Sequence, residues 1–152
     1  MRKAKWMSAT YLTCATSLLF LTCGPSEIKP VDIYPEDNCA NCRMAVSDKS
    51  FASEIVTDQR EVLKFDDLAC LEQYRQKNPT LKIDAMFVAN YETREWLPYA
   101  RSVIVRTGIV TPMGSGKVAV ADSQRAKALV ERFPATKGVS QVSDSCCSGV
   151  EK

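Results

Sequence analysis

Two short, well-delimited helix patterns constrain the fold of this chain most. In the first, DDLACLEQYRQKNP, Asp66 or Asp67 can cap the start and Asn78-Pro79 ends the pattern. The second, DSQRAKALVERF, carries an apolar stripe at helical spacing. Its members are Ala126, Leu129, Val130 and Phe133.

Strand-like sequence surrounds both helices. SFASEIVT and EVLKF flank the polar TDQR and predict a hairpin, and the apolar run KIDAMFVAN predicts a buried strand. EWLPYARSVIVRT and KVAVA flank the turn-like TPMGSG. Each half therefore contains strands, a helix and at least one more strand, which predicts an α+β fold of two small halves packed together.

The first 22 residues resemble a signal peptide. Arg2, Lys3 and Lys5 precede a moderately apolar core that is too polar for a good membrane span. Cys23 directly follows this core, which favours a bacterial lipoprotein signal with Cys23 as the lipid-bearing residue. The alternative is simple cleavage nearby, which would release a soluble periplasmic protein.

The remaining chain divides into three parts. The proline-rich and acidic segment 23–37 predicts a flexible tether, residues 38–133 hold the folded domain, and 134–152 lose all periodicity. This last segment is predicted to be a disordered tail that contains Cys146 and Cys147.

Composition excludes several classes of function. The chain has no histidine, so it cannot build a Ser-His-Asp or Cys-His catalytic site or a histidine metal site by itself. Loss of residues 1–22 changes the net charge from +2 to −1, and no basic cluster interleaves with aromatic residues. The sequence therefore predicts no nucleic-acid partner.

Cys39, Cys42 and Met44 lie within the short stretch DNCANCRMAVSDKS. A C-x-x-C pair can form a disulfide or catalyse thiol exchange, although the strand-to-helix context of thioredoxin-like proteins is missing. A zinc site needs four ligands, and the chain offers no second knuckle. Cys70 lies in the first helix and is predicted to be a core residue.

A soft-metal site uses all three sulfur residues. A thiolate and a thioether select Cu(I) over harder ions, and on an extended segment Cys42 and Met44 would project from one face. Arg43 is expected to lower the pKa of the Cys42 thiol. An incomplete site on a loop is typical of a carrier and not of an enzyme. The remaining alternative is a permanent structural disulfide between Cys39 and Cys42.

Four segments resemble the NosL family, the lipoprotein copper chaperones that accompany nitrous oxide reductase. They are CANCRMAV, FASEIVT…EVLKFDDLACL, EWLPYARSVIV and TPMGSGKVAVAD, which together span roughly residues 38–130. The resemblance implies two βαββ-like halves, similar to those of organomercury lyase. One departure is Arg43, which stands where the family usually has glycine.

The resemblance also implies a ligand set and a function. Cys42 and Met44 would bind Cu(I), with Cys39 as a third sulfur or redox partner and Met113 as a further soft donor. The protein would receive copper from an ABC-type membrane complex and deliver it to nitrous oxide reductase or another copper client. It would work on the periplasmic side of a bacterial membrane, held by its lipid anchor, as a monomer or a homodimer. The rival function is a thiol–disulfide redox lipoprotein that cycles Cys39 and Cys42.

Overall fold

The computed structural model describes residues 27–135, which form six strands and two α-helices. In chain order these are β1 Ser53–Thr57, β2 Val62–Phe65, α1 Leu68–Lys77, β3 Ile83–Ala89, β4 Trp96–Pro98, β5 Val103–Arg106, β6 Lys117–Val120 and α2 Ser123–Arg132. Neither helix in the described part of the chain has the length and apolar composition needed to cross a bilayer.

The strands form two antiparallel sheets. The larger sheet has the order β2-β1-β3-β4, with β1 paired to both β2 and β3. The smaller sheet is the β5–β6 hairpin. A single parallel bridge between Asn90 and Ala119 connects the end of the larger sheet to β6. The two halves are therefore joined directly through backbone hydrogen bonds.

Each half buries its own apolar cluster. In the first half, α1 lies against the larger sheet, and Ile55, Phe65 and Leu71 are fully buried together with Cys39 and Cys70. In the second half, α2 packs on the β5–β6 hairpin. Two cysteines, Cys39 and Cys70, are therefore part of the first core.

The structure confirms the α+β class, the predicted hairpin and both predicted helices. Asp67 is the residue that caps α1, and Asn78 ends the helix. Two details differ from the prediction. Val130 is 37% exposed and does not join the apolar stripe of α2. In addition, no strand follows α2 within residues 27–135.

Several predicted segments lie outside the described residues. The predicted signal peptide, Cys23, Cys146 and Cys147 are among them. The described end of the predicted tether contacts the domain: the Val31 N–H donates to the Glu54 carboxyl group at 3.1 Å, and Ile33 packs against the first core.

Glu54 of β1 gives the fold a predicted pH dependence. Its side chain is fully buried, and burial raises its pKa from an ordinary 4.5 to about 7. The folded state therefore keeps a proton that the unfolded state loses between these values, so this residue lowers stability as the pH rises from 5 to 8. As the pH rises, the free energy of unfolding should fall by a Glu54 contribution on the order of 3 kcal/mol, and we expect Glu54→Gln to remove this fall.

The measurement is urea unfolding of the reduced wild-type and variant proteins at pH 5 and at pH 8. The difference between the two proteins isolates Glu54, because the cysteine residues titrate in both. Equal pH dependence in the two proteins would contradict the assignment.

Candidate metal centre

A tight loop holds the cysteine-methionine segment. The Cys39 N–H donates to the Met44 carbonyl at 2.7 Å, and the Arg43 N–H donates to the Cys39 carbonyl at 3.0 Å. Arg43 has a φ of 67°, in the left-handed region that favours glycine. This explains how the loop closes, and it means that Cys42 and Met44 do not lie on the extended segment that the sequence predicted. Arginine here costs about 1–2 kcal/mol relative to a relaxed conformation.

The start of α1 completes a cluster with this loop. Asp66 precedes the helix cap, and Cys70 lies in the first turn of the helix. The backbone of the loop is tied to the adjacent strand, because the Ala40 N–H donates to the Lys64 carbonyl at 2.8 Å. As a result, one ligand atom each from Cys39, Cys42, Asp66 and Cys70 lies within 4.8 Å of all the others.

None of the three thiols of Cys39, Cys42 and Cys70 forms a disulfide, and their pKa values are shifted in different directions. The Cys70 thiol donates a hydrogen bond to Cys39, which lowers the pKa of Cys39 to about 6, and the backbone N–H groups of Cys42 and Asp66 assist. The same contact holds the pKa of Cys70 well above its ordinary range. Cys39 is therefore the thiol of the cluster that loses its proton most readily.

Cys42 behaves differently from the prediction. Burial raises the pKa of its thiol to about 11, and the hydrogen bonds with Cys39 and Asp66 act in the same direction. The expected lowering by Arg43 is wrong, because burial and the hydrogen bonds with Cys39 and Asp66 dominate the pKa of this thiol. Cys42 is a half-buried thiol that must lose its proton when a metal ion arrives.

Asp66 faces the thiols with both carboxyl oxygens buried. Its Oδ2 accepts a hydrogen bond from the Cys42 Sγ at 3.3 Å. Its Oδ1 has no hydrogen-bond partner among residues 27–135, and the side chain is only 2% exposed. A buried carboxyl oxygen without a partner costs free energy, so this atom is placed to accept a hydrogen bond or to bind a metal ion.

Asp67 organises a second loop beside the cluster. Besides capping α1, its carboxylate accepts hydrogen bonds from the Thr111 hydroxyl, the Met113 N–H and the Ser115 hydroxyl. The TPMGSG turn is thereby fixed to the residue next to Asp66. Met113 is 40% exposed, and Met44 is 46% exposed on the cysteine loop.

The structure brings Cys39 and Cys42 together as the sequence predicted, and it adds two donors that the sequence did not assign. Cys70 is buried as expected, but its sulfur joins the cluster as well as the core. Either Asp66 or Asp67 was expected to cap the helix; Asp67 does so, and Asp66 faces the thiols. Adjacent carboxylates before a helix that carries a cysteine were the available signal.

Comparison with known proteins gives two findings. The family model named NosL matches residues 30–139. The fold is similar to the crystal structure of the copper chaperone NosL from Shewanella denitrificans, with a TM-score of 0.62 and 15% sequence identity. This similarity covers 72% of this chain and 90% of the other. Comparison with curated proteins gives no significant match.

Proposed function

Because the chain belongs to the NosL family, we propose that it is a copper chaperone that carries Cu(I) on sulfur donors of its cysteine-methionine loop. Membership of this family agrees with the expectation that the chain is a carrier and not an enzyme. The solved protein with the similar fold is itself described as a copper chaperone.

The chemistry of the donors supports copper as the cargo. Thiolate and thioether sulfur atoms are soft ligands, which favour Cu(I) over hard divalent ions. Cys39 supplies the most acidic thiol, Cys42 a second sulfur, and Met44 a thioether in the same loop. Met113 remains a candidate for a further thioether donor, held beside the cluster by its N–H bond to Asp67.

The increasing solvent exposure from Cys39 to Cys42 to Met44 is the main support for this proposal. Cys39 is fully buried, Cys42 is half-buried, and Met44 is 46% exposed, all within six residues. Copper would arrive at the exposed thioether and the half-buried thiol, and would leave by the same route. Delivery would proceed by ligand exchange, in which donors of the client bind Cu(I) before Cys42 releases it.

We further propose a client and a location for this exchange. The client is nitrous oxide reductase, whose copper–sulfide centre needs copper during assembly, and the donor is an ABC-type membrane complex. The support is the family membership, together with the signal-like residues 1–22 and Cys23, which predict a lipid anchor on the periplasmic side. Transfer of copper from the loaded protein to copper-free reductase, and not to an unrelated cuproenzyme, tests the client.

The role of the thioether can be measured directly. We expect Met44→Leu to weaken Cu(I) binding about 10-fold or more while the fold is retained, because leucine has similar volume and no donor atom. The measurement is an anaerobic competition titration with a Cu(I) chelator. Met113→Leu, compared in parallel, shows whether the second methionine contributes. Unchanged affinity in Met44→Leu would remove Met44 from the site.

The second candidate function is thiol–disulfide exchange. Three free thiols within 4.8 Å and a Cys39 pKa of about 6 are features that such proteins use. Met44→Leu separates the two functions, since it should weaken copper binding and leave the reduction potential of the cysteine pair unchanged.

A further inference from the structure

The cluster around Asp66 contains one donor that a Cu(I) carrier does not need. Cu(I) is satisfied by two or three sulfur atoms, whereas the four clustered donors comprise three cysteine sulfurs and one carboxyl oxygen. Three sulfur atoms and one oxygen are instead a complete ligand set for a divalent d¹⁰ ion such as Zn²⁺.

We propose that Cys39, Cys42, Cys70 and Asp66 form a four-coordinate site for Zn²⁺, which excludes copper from Cys42 while it is filled. The zinc site itself does not depend on copper transport, whereas the exclusion of copper rests on the proposed function.

The spacing of the donors fits such a site. A tetrahedral zinc ion with Zn–S distances of about 2.3 Å separates neighbouring sulfur atoms by about 3.8 Å. All four donor atoms already lie within 4.8 Å of one another, so small side-chain movements bring them into contact with one ion. The loop and the helix that supply them are fixed by the backbone bonds of Cys39, Ala40 and Cys70.

The buried carboxyl group of Asp66 is the second, independent observation. Its Oδ1 has no hydrogen-bond partner in the described part of the chain, although Asp66 is 2% exposed. The thiols around Asp66 are weak hydrogen-bond donors, so they satisfy a buried carboxyl group poorly. A bound cation would satisfy its Oδ1 directly, and it would offset part of the negative charge of the deprotonated thiols.

The two metals would differ in how they use the site. Zinc would occupy a closed set of protein ligands with no open position, which is typical of sites that retain their ion. Copper would use Cys39, Cys42 and Met44, and a client can reach it from the exposed Met44. Since Cys39 and Cys42 belong to both sets, one ion must leave before the other is fully bound.

The first test uses Co²⁺ as a spectroscopic substitute for Zn²⁺, added to the reduced full-length protein without oxygen. We expect one Co²⁺ per chain, with intense sulfur-to-cobalt charge-transfer bands and the visible bands of a tetrahedral ion. Addition of Zn²⁺ should abolish these bands at one equivalent. A weak octahedral spectrum without charge-transfer bands would overturn the inference whatever the variants do.

The variants assign the ligands. We expect Asp66→Asn to lower Zn²⁺ affinity at least about 10-fold and to lower Cu(I) affinity by a smaller factor, whereas Met44→Leu should show the reverse ratio. Asp84→Asn removes an exposed carboxylate from β3 and serves as the matched control, with no change expected. Cys70→Ser should reduce the intensity of the charge-transfer bands. Equal Zn²⁺ affinity in wild type and Asp66→Asn would exclude Asp66 as a ligand.

Competition completes the test. Titration of Cu(I) into the zinc-loaded protein should release one Zn²⁺ for each Cu(I) bound, which a chromophoric zinc indicator reports. Binding of Cu(I) without zinc release would overturn mutual exclusion. Loss of Zn²⁺ binding with intact Cu(I) binding would refute this inference alone, while failure of Cu(I) binding with intact Zn²⁺ binding would refute the proposed function alone.

Discussion

Replacement of Cys42 by serine is expected to reduce Cu(I) affinity by at least about 100-fold, since changes to residues that only support metal ligands already cost 10- to 100-fold. Cys42 is half-buried, whereas Cys39 and Cys70 are fully buried, so Cys42 is the thiol of the cluster nearest the surface. It is also the cysteine nearest in sequence to Met44. Serine preserves the shape of the side chain but replaces a soft donor by a hard one.

The comparison variant for this prediction is Cys70→Ser. Its sulfur is fully buried behind Cys39, so we expect a smaller loss of Cu(I) affinity than in Cys42→Ser. Anaerobic chelator competition measures both, and circular dichroism confirms that each variant is folded. A larger loss in Cys70→Ser would place copper in the inner part of the cluster and would contradict the exchange route described above.

The largest expected effect on stability comes from Asp67→Ala. This fully buried carboxylate caps α1 and accepts three further hydrogen bonds from the turn of residues 111–115. Alanine would remove a helix cap, which contributes about 1 kcal/mol, and would leave the buried Thr111 hydroxyl without this partner at about 1–3 kcal/mol, with smaller losses from the partly buried donors of Met113 and Ser115. We expect the free energy of unfolding to fall by roughly 3–5 kcal/mol.

Asp122→Ala is the matched control for this substitution. Asp122 caps α2 through a 2.8 Å bond from the Arg125 N–H, but it is exposed and holds no other loop. Its loss should cost only about 1 kcal/mol in urea unfolding. Similar losses in the two variants would show that Asp67 acts only as a helix cap.

Most of the fold was accessible from the sequence because its signals are local. The Asn78-Pro79 stop of α1, the apolar stripe of α2 and the strand-like runs of β1 and β2 each depend on neighbouring residues. The family resemblance stated from four segments is also confirmed. Val130 was misassigned because helical spacing places it near the stripe, whereas the small β5–β6 sheet covers only part of the helix.

The site was less accessible because its donors come from segments far apart in the chain. Cys39 and Cys42 were recognised from their spacing, but Cys70 joins them only through the packing of α1 against the loop. Sequence alone could not decide which of Asp66 and Asp67 would cap the helix. That choice leaves Asp66 to face the thiols, and it depends on the hydrogen bonds between Asp67 and a turn more than 40 residues away.

The most direct test of copper carriage is X-ray absorption at the copper edge of the reduced protein, loaded with one equivalent of Cu(I). We expect a Cu(I) edge and a shell of two or three sulfur atoms, with one sulfur lost in Met44→Leu. A shell of oxygen or nitrogen atoms, or copper removed completely by a weak chelator, would contradict this expectation.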